Sequence, residues 1–172
     1  MYQALFDIEK PIIASINGVA VGGGCTMTFL CDIRIASENA RFQLPFTKLG
    51  ICAELGSTFH LPRLVGAGKA AELVLTSRMV EAKEAAEIGL VNHVVPSDEL
   101  ASRTRALAES IAKHPPLSVR LNKKGLRLGL SADAESQFRF ENLAIARLNT
   151  TEDAAEARAA FREKRDPVFT GR

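Results

Sequence analysis

The amino-acid sequence predicts an α/β fold that ends in a helical tail. Short apolar runs alternate with turn residues over residues 12–65, and the pattern is helical almost throughout from residue 66 onward. No internal repeat, low-complexity tract or Pro/Gly/Ser-rich linker separates the two parts. A chain of 172 residues is long enough to bury one sizeable core. We therefore expect one α/β unit rather than two separate domains.

The strands expected in the first part are short and apolar, or alternate between polar and apolar residues. They cover residues 12–16, 19–21, 32–37 and 41–44. The turn between the first two contains Asn17 and Gly18, residues that tolerate positive φ. A glycine triplet at residues 22–24 then precedes a compact apolar segment over residues 25–31, which suits a buried helix.

Capping and breaking residues divide the second part. A helix over residues 81–88 ends at Gly89, and a strand over residues 90–95 follows it. Pro115 breaks the next helix, and the last helix is expected over residues 152–164. Three residues are expected to act as helix N-caps through their hydroxyl groups: Ser97, Ser131 and Thr151.

The composition argues against several classes of function. Lys and Arg together number 22 and Asp and Glu number 20, so the formal net charge of +2 disfavours nucleic-acid and membrane-surface binding. No apolar stretch reaches the roughly 18 residues that a membrane span needs, and the N-terminus lacks the features of a secretory signal. The three cysteines have no CxxC spacing, which argues against disulfides and structural zinc. We expect a cytoplasmic protein with no nucleic-acid or membrane partner.

The glycine triplet is the first candidate for chemistry. Its N–H groups lie between an extended segment and a helix start, where the positive end of the helix dipole can hold an anion or an oxyanion. Taken alone, the triplet fits a tight structural turn better. It is neither GxGxxG nor a P-loop, so it gives little support to nucleotide binding by those routes.

Glu54 is the carboxylate of greatest interest. It is the only charged residue between Lys48 and His60, and its neighbours on both sides are apolar. Partial desolvation in such a setting would raise the pKa of the carboxyl group and make it a better base near neutral pH. An exposed acid at a helix N-terminus is an equally good interpretation of the local sequence.

Other catalytic chemistries find little support in the sequence. His60, His93 and His114 are widely separated and lack partners at metal-ligand spacing, so no metal site is expected. No Gly-x-Ser-x-Gly motif is present, which disfavours a serine hydrolase. Cys25 and Cys31 lie in an apolar run, where they fit buried hydrophobic residues better than nucleophiles.

Several stretches of the chain resemble, in the same order, the signature of the enoyl-CoA hydratase/isomerase (crotonase) superfamily. They are KPIIASINGVAVGGGC at residues 10–25, CDIRIA at 31–36, ARF at 40–42, LPRLVG at 61–66, AAEIGLV at 85–91 and FREKR at 161–165. The first stretch is highly specific. The resemblance implies a crotonase (ClpP-like) fold of repeated ββα units with a C-terminal helical trimerisation region. It also implies an N-terminal truncation, because the first third of the usual domain has no counterpart here.

The resemblance assigns roles to the glycine triplet. In this superfamily two backbone N–H groups bind the thioester oxygen of an acyl-CoA and stabilise an enolate. The second donor falls on Gly23, between Gly22 and Gly24 in the substrate-binding turn, whereas the first belongs to the segment that has no counterpart. The thioester itself acidifies C2, so we expect no metal and no tightly bound cofactor. Coenzyme A enters only as part of the substrate.

The departures from the family pattern bear on the reaction. The two glutamates of the hydratases fall on Thr26 and Phe46, which can neither activate water nor protonate C2. Both residues are expected to line the substrate site. Members similar to the Δ3,Δ2-enoyl-CoA isomerases carry one acid in the loop after a Leu-Gly pair, and Glu54 falls there. The resemblance therefore predicts an isomerase with Glu54 and Gly23 as catalytic residues.

Two alternatives stay open. The chain could be an enoyl-CoA hydratase, or perform another acyl-CoA reaction of the superfamily such as thioester hydrolysis or dehalogenation. It could also be a truncated, non-catalytic member that assembles without turning substrate over.

The C-terminal region is expected to serve assembly and substrate binding. Residues 1–114 would form the C-terminal part of the crotonase core, and residues 115–172 a helical region for oligomerisation and CoA contact. Phe161 and Lys164 match family positions that contact the adenine ring and phosphates of CoA. Apolar residues spread over two helices in residues 115–149 require a partner surface. We therefore expect a homotrimer or a hexamer that binds an acyl-CoA thioester.

Overall fold

The computed structural model describes Leu5 and residues 7–172, most of which belong to two compact units, Ile12–Ala106 and Leu107–Arg172. Glu9–Pro11 belong with the second unit. The described strands are β1 (Ile13–Ile16), β2 (Val19–Val21), β3 (Ile33–Ser37), β4 (Arg41–Gln43), β5 (Val80–Glu81) and β6 (His93–Val95). The described helices are α1 (Gly23–Thr28), α2 (Ser57–Val65), α3 (Ala67–Thr76), α4 (Ala82–Glu87), α5 (Leu100–Ala112), α6 (Pro116–Leu128), α7 (Ala134–Asn149) and α8 (Glu152–Glu163).

The described strands of the first unit form two small sheets. One has the order β1-β3-β6 and is parallel, and the other has the order β2-β4-β5, with β2 and β4 parallel and β5 antiparallel to β4. The chain thus passes from one sheet to the other at Asn17 and Gly18. Neither residue has positive φ, so the hairpin type of turn that this pair tolerates is not formed.

The core of the first unit lies where the strands and α1–α4 pack together. Its largest enclosed apolar side chains are Phe42, Ile35, Leu61, Leu73, Leu90 and Val80. Arg34 is also buried, and its guanidinium donates to the carbonyl oxygens of Leu90 at 2.9 Å and Cys31 at 2.8 Å. These bonds satisfy a charged group that would otherwise be costly to bury.

The structure corrects several expected helix boundaries. The first helix begins at the glycine triplet rather than at Cys25, because the triplet itself supplies the first turn. Ser97 does not cap α5, which begins at Leu100; its hydroxyl accepts a hydrogen bond from Asn39 Nδ2 at 2.7 Å. Asp133 caps α7 in place of Ser131. The prediction for Thr151 is confirmed, since its hydroxyl accepts from the N–H of Ala154 at 3.1 Å.

The second unit consists of α6–α8, part of α5, and the C-terminal segment that follows α8. Asp153 in the first turn of α8 is buried, and its carboxylate accepts from the N–H groups of Thr170 at 2.7 Å and Gly171 at 3.0 Å. The N–H of Asp153 in turn donates to the carbonyl of Arg172 at 3.0 Å. The chain end is therefore fastened to the start of α8. No helix among the described residues is long and apolar enough to cross a membrane.

Replacing Asp153 with Ala is expected to destabilise this attachment by about 1–3 kcal/mol, because two backbone donors lose a charged acceptor. Urea unfolding measures the change in the free energy of unfolding. Asp166→Ala is the matched control, since Asp166 is exposed and its substitution should stay within about 0.5 kcal/mol. Equal stability of the two variants would contradict the role given to Asp153.

Glu156 provides a second attachment of the same segment, and this one depends on pH. Its carboxylate binds Arg165 at 2.6 Å and accepts from the N–H of Val168 at 2.9 Å. Chiefly through the bond to Arg165, the pKa of Glu156 falls from 4.5 to about 2. A depressed pKa means that the stabilisation is complete above the unfolded value and is lost as pH falls through the folded one.

We accordingly expect the Val168 amide to stay protected from hydrogen exchange at pH 5 and to lose its protection progressively between about pH 4.5 and 2. Exchange measured by NMR across this range checks the prediction. Glu156→Gln should remove the pH dependence in that window. A variant that kept the same profile would show that another group controls the release.

Candidate active site

The glycine triplet forms the N-terminal turn of α1 in a conformation that only glycine adopts readily. Gly22 has φ 56° and ψ −126°. Its carbonyl oxygen accepts from the N–H groups of Cys25 and Thr26, both at 2.9 Å, and so points into the helix. The N–H of Gly23 belongs to the same trans peptide plane and must point the opposite way, away from α1. This N–H also lacks an intrahelical partner, as do the first N–H groups of any helix.

Glu54 lies in the loop that leads into α2. Two successive residues of positive φ, Leu55 at 54° and Gly56 at 67°, turn the chain sharply just before the helix. The N–H of Ser57 donates to the carbonyl of Glu54 at 3.0 Å and closes this turn. The loop thereby holds the backbone of Glu54 at the start of α2.

The structure brings the carboxylate of Glu54 against the glycine triplet. A Cβ atom built on Gly23 would lie only 2.9 Å from Glu54 Oε1. The two predicted catalytic residues, well separated in sequence, are thus neighbours. The carboxylate of Glu54 thus lies beside Gly23, whose N–H has no partner within the helix.

Of the two interpretations of Glu54 that the sequence left open, the structure favours the exposed acid over the partly desolvated one. Glu54 is exposed, because its apolar neighbours do not cover it. Leu49 and Ile51 are themselves 65% and 57% exposed. The interpretation as an acid near a helix N-terminus therefore describes its surroundings better, while its contact with Gly23 preserves the predicted pairing.

Thr26 and Phe46 are both enclosed by the protein. Thr26 is fully buried, with its hydroxyl 3.3 Å from the carbonyl of Gly23, and Phe46 is 3% exposed in the core. Neither presents surface to a ligand in this structure, so a part in substrate binding stays a prediction. The family resemblance assigns the two hydratase glutamates to these positions, and neither residue has a carboxylate.

A groove that the sequence did not indicate runs beside α1. Its volume is about 420 Å³, and it is lined by residues of β1, β2 and α1, among them Ala14, Val19 and Met27. Gly24 is the only member of the triplet in its lining, and Glu54 is not part of it. The groove is therefore adjacent to the candidate site without enclosing the carboxylate, and the contact between Glu54 and Gly23 marks the site better.

The cysteine of α1 and the possible metal ligands are the other groups to consider. Burial raises the pKa of the Cys25 thiol to about 12, so it stays protonated and is a poor nucleophile. Within the described ranges, no three His, Cys, Asp or Glu side chains come together in a way that could hold a metal ion. Glu54 stays the candidate base that the sequence predicted.

The two predicted CoA contacts belong to the second unit. Phe161 lies on α8 and is 86% exposed. Lys164 ends α8 in a left-handed conformation with φ 54° and is also exposed. Both side chains are accessible to a ligand, and their contact with CoA stays a prediction.

Comparison with known proteins supports the family resemblance. The sequence profile of the family described as enoyl-CoA hydratase/isomerase matches residues 1–172. The chain is 43% identical over 165 residues to the short-chain-enoyl-CoA hydratase of Clostridium acetobutylicum, covering 96% of this chain and 63% of that protein. It is 38% identical over 172 residues to the 2,3-dehydroadipyl-CoA hydratase of Escherichia coli, covering 100% of this chain and 68% of that protein.

A solved structure agrees over the same extent. The crystal structure of enoyl-CoA hydratase from Bacillus anthracis has a TM-score of 0.96 and 40% sequence identity, and the match covers 99% of this chain and 66% of that one. The fold is therefore the crotonase fold, and the chain spans about two thirds of the length of these relatives. The chain belongs to the enoyl-CoA hydratase/isomerase family.

Proposed function

We propose that this site moves a proton at C2 of an enoyl-CoA thioester, with Glu54 as the base and the N–H of Gly23 as a donor to the thioester oxygen. One observation carries the proposal: Glu54 Oε1 lies only 2.9 Å from the point where a Cβ atom on Gly23 would be. A thioester oxygen bound by Gly23 would place the adjacent C2 within reach of this carboxylate. The thioester makes C2–H acidic, and these two residues would supply the base and one of the two oxyanion donors that the family resemblance implies.

The reaction that a single carboxylate serves most directly is Δ3,Δ2 isomerisation. Glu54 removes a proton from C2 of a 3-enoyl-CoA, and the electron pair moves into a conjugated enolate whose oxygen is stabilised by hydrogen bonding. The protonated Glu54 returns the proton at C4, and the double bond ends between C2 and C3. The carboxylate is regenerated, and no atom is gained or lost.

Hydration is the second candidate, and the names of the relatives favour it over isomerisation. The relatives from Clostridium acetobutylicum and Escherichia coli are both named hydratases. Hydration adds a hydroxyl group at C3 and a proton at C2. Because Thr26 and Phe46 provide no carboxylate, Glu54 would have to activate the water and to protonate C2 in turn.

One pair of spectrophotometric assays separates these candidates. The purified chain is supplied with 3-hexenoyl-CoA, where isomerisation creates an absorbing conjugated thioester, and with crotonyl-CoA, where hydration destroys one. Turnover of 3-hexenoyl-CoA alone supports isomerisation. Faster turnover of crotonyl-CoA supports hydration and contradicts the isomerase assignment. Loss of both activities in a folded chain would favour the non-catalytic alternative.

We also propose that the chain assembles as a homotrimer or hexamer through its second unit. Large apolar side chains on α6 and α7 are exposed in the single chain: Leu126 by 77%, Phe138 by 64%, Leu143 by 73% and Ile145 by 56%. Exposed apolar stripes of this kind mark protein–protein interfaces. Light scattering at micromolar concentration is expected to give at least three times the chain mass of 18.6 kDa.

Leu143→Glu should reduce that mass, whereas substitution of the exposed Lys83 on α4 by Glu should leave it unchanged. A monodisperse species of 18.6 kDa for the unaltered chain would contradict the assembly proposal. It would also weaken any assignment of Phe161 and Lys164 to a CoA site shared between subunits.

A further inference from the structure

The glycine turn is held from outside α1 by one residue of β4. The carbonyl oxygen of Gln43 accepts from the N–H of Gly22 at 3.0 Å. The same residue uses its side-chain amide to donate from Nε2 to the carbonyl of Ser77 at 2.8 Å. Gln43 therefore links the turn to the end of α3 through one backbone bond and one side-chain bond.

The side-chain bond replaces a missing rung of the sheet. Between β4 and β5 the register pairs Arg41 with Glu81 and Phe42 with Val80, and it ends before Gln43. On its other side Gln43 still pairs with Val21 of β2. The hydrogen bond from the Gln43 side-chain amide to the Ser77 carbonyl thus connects this end of β4 to the elements on the β5 side of the sheet.

Ser77 is a firm anchor for that bond. It is buried at 4% exposure and ends α3 in a left-handed conformation with φ 51°. Its N–H donates to the carbonyl of Leu73 at 3.1 Å. The position of the Ser77 carbonyl is therefore set by the helix. Gln43 connects this carbonyl to the glycine turn through its two hydrogen bonds.

We infer that Gln43 is a positioning residue for the oxyanion donor of the proposed site. The peptide plane that carries the Gly23 N–H is fixed on the helix side, where the carbonyl of Gly22 accepts two hydrogen bonds. The Gln43 carbonyl fixes the preceding N–H of Gly22. Together these bonds determine where the Gly23 N–H points. This inference rests on the proposed function, because it assigns Gln43 a role in placing the same donor.

The test is Gln43→Met, which keeps the length of the side chain and removes its donor. The expected result is a kcat lower by roughly tenfold with an unchanged KM, since a misaligned donor weakens only transition-state stabilisation. Hydrogen exchange of the Gly22 amide, followed by NMR, should become faster at the same time. The fall in kcat and the faster exchange of Gly22 should both be larger than the increase in the unfolded fraction at the assay temperature can explain.

Asn92→Leu is the matched control. The Asn92 side-chain oxygen accepts from the N–H of Arg34 at 2.8 Å, so this variant also removes one hydrogen bond between a side-chain amide group and a backbone group, but at β3. It should lower the melting temperature while leaving kcat and Gly22 exchange unchanged. A similar fall of kcat in both variants would reduce Gln43 to a structural residue and overturn the inference.

The remaining outcomes separate the inference from the proposed function. An active wild type with unchanged kcat in Gln43→Met overturns the inference alone. A lower kcat with unchanged Gly22 exchange also overturns it, because the effect then bypasses the turn. An inactive wild type overturns the proposed function, and with it the positioning role; faster Gly22 exchange in Gln43→Met would then establish only the anchoring contact.

Discussion

Replacing Glu54 with Gln is expected to lower kcat for the acyl-CoA reaction by about three orders of magnitude, within the range that general acid–base catalysis contributes. The amide keeps the shape of the carboxylate but cannot take the C2 proton. Because Glu54 is exposed, the substitution should leave the free energy of unfolding within about 0.5 kcal/mol of the wild type. Steady-state kinetics with 3-hexenoyl-CoA and crotonyl-CoA, together with urea unfolding, measure both quantities.

Glu38→Gln serves as the control for this experiment. Glu38 is an exposed carboxylate of the same unit, in the turn after β3, and its substitution should leave kcat unchanged. Equal rates for the Glu54 variant and the wild type would remove Glu54 from the mechanism. The base would then have to be a residue outside the loop before α2.

The sequence was most informative where local rules dominate. The strand over residues 19–21 and the last helix have nearly the predicted bounds, because alternation, capping and a following proline act on neighbouring residues. Thr151 caps α8 as predicted, whereas Ser131 was displaced by Asp133 two residues later. Both are short oxygen-bearing side chains, and local sequence does not choose between such near neighbours.

Tertiary arrangement was less accessible from the sequence. The helix Ser57–Val65 contains Pro62 and follows a glycine-rich loop, so its pattern gave no clear helical signal. The environment of Glu54 stayed open at the level of sequence for a related reason. Its apolar neighbours in sequence are compatible with burial, but Leu49 and Ile51 are themselves exposed in the structure. Whether a side chain is buried depends on which other elements pack over it, and the local composition does not determine that.

The pairing of Glu54 with Gly23 came from the family resemblance rather than from periodicity or spacing. In the structure the two residues lie next to turns with positive φ, one at Gly22 and one at Leu55 and Gly56, and their contact is close. Backbone conformations that most residues disfavour are concentrated at functional sites, where the surrounding structure holds them in place. The proposed chemistry therefore stands on backbone features that a hydrophobic pattern cannot reveal.

Gly23→Ala should separate activity from stability most clearly. The added methyl group would lie 2.9 Å from Glu54 Oε1, closer than packed atoms allow, and the carboxylate must move. Because Glu54 Oε1 is the far end of an exposed, flexible side chain, this displacement should change the free energy of unfolding by less than about 1 kcal/mol. A displaced carboxylate should nevertheless lower kcat, by up to about a hundredfold if the shift approaches about 1 Å.

Gly68→Ala is the matched substitution, in the first turn of α3. A Cβ atom there would meet no other atom within 4 Å, and Gly68, like Gly23, does not have positive φ. Both variants should therefore fold, but only Gly23→Ala should lose activity. A crystal structure of Gly23→Ala with the Glu54 carboxylate unmoved, or a kcat equal to that of Gly68→Ala, would contradict the proposed pairing. An unfolded Gly23→Ala would instead mean that the turn packs more tightly than its contact with the tip of Glu54 indicates.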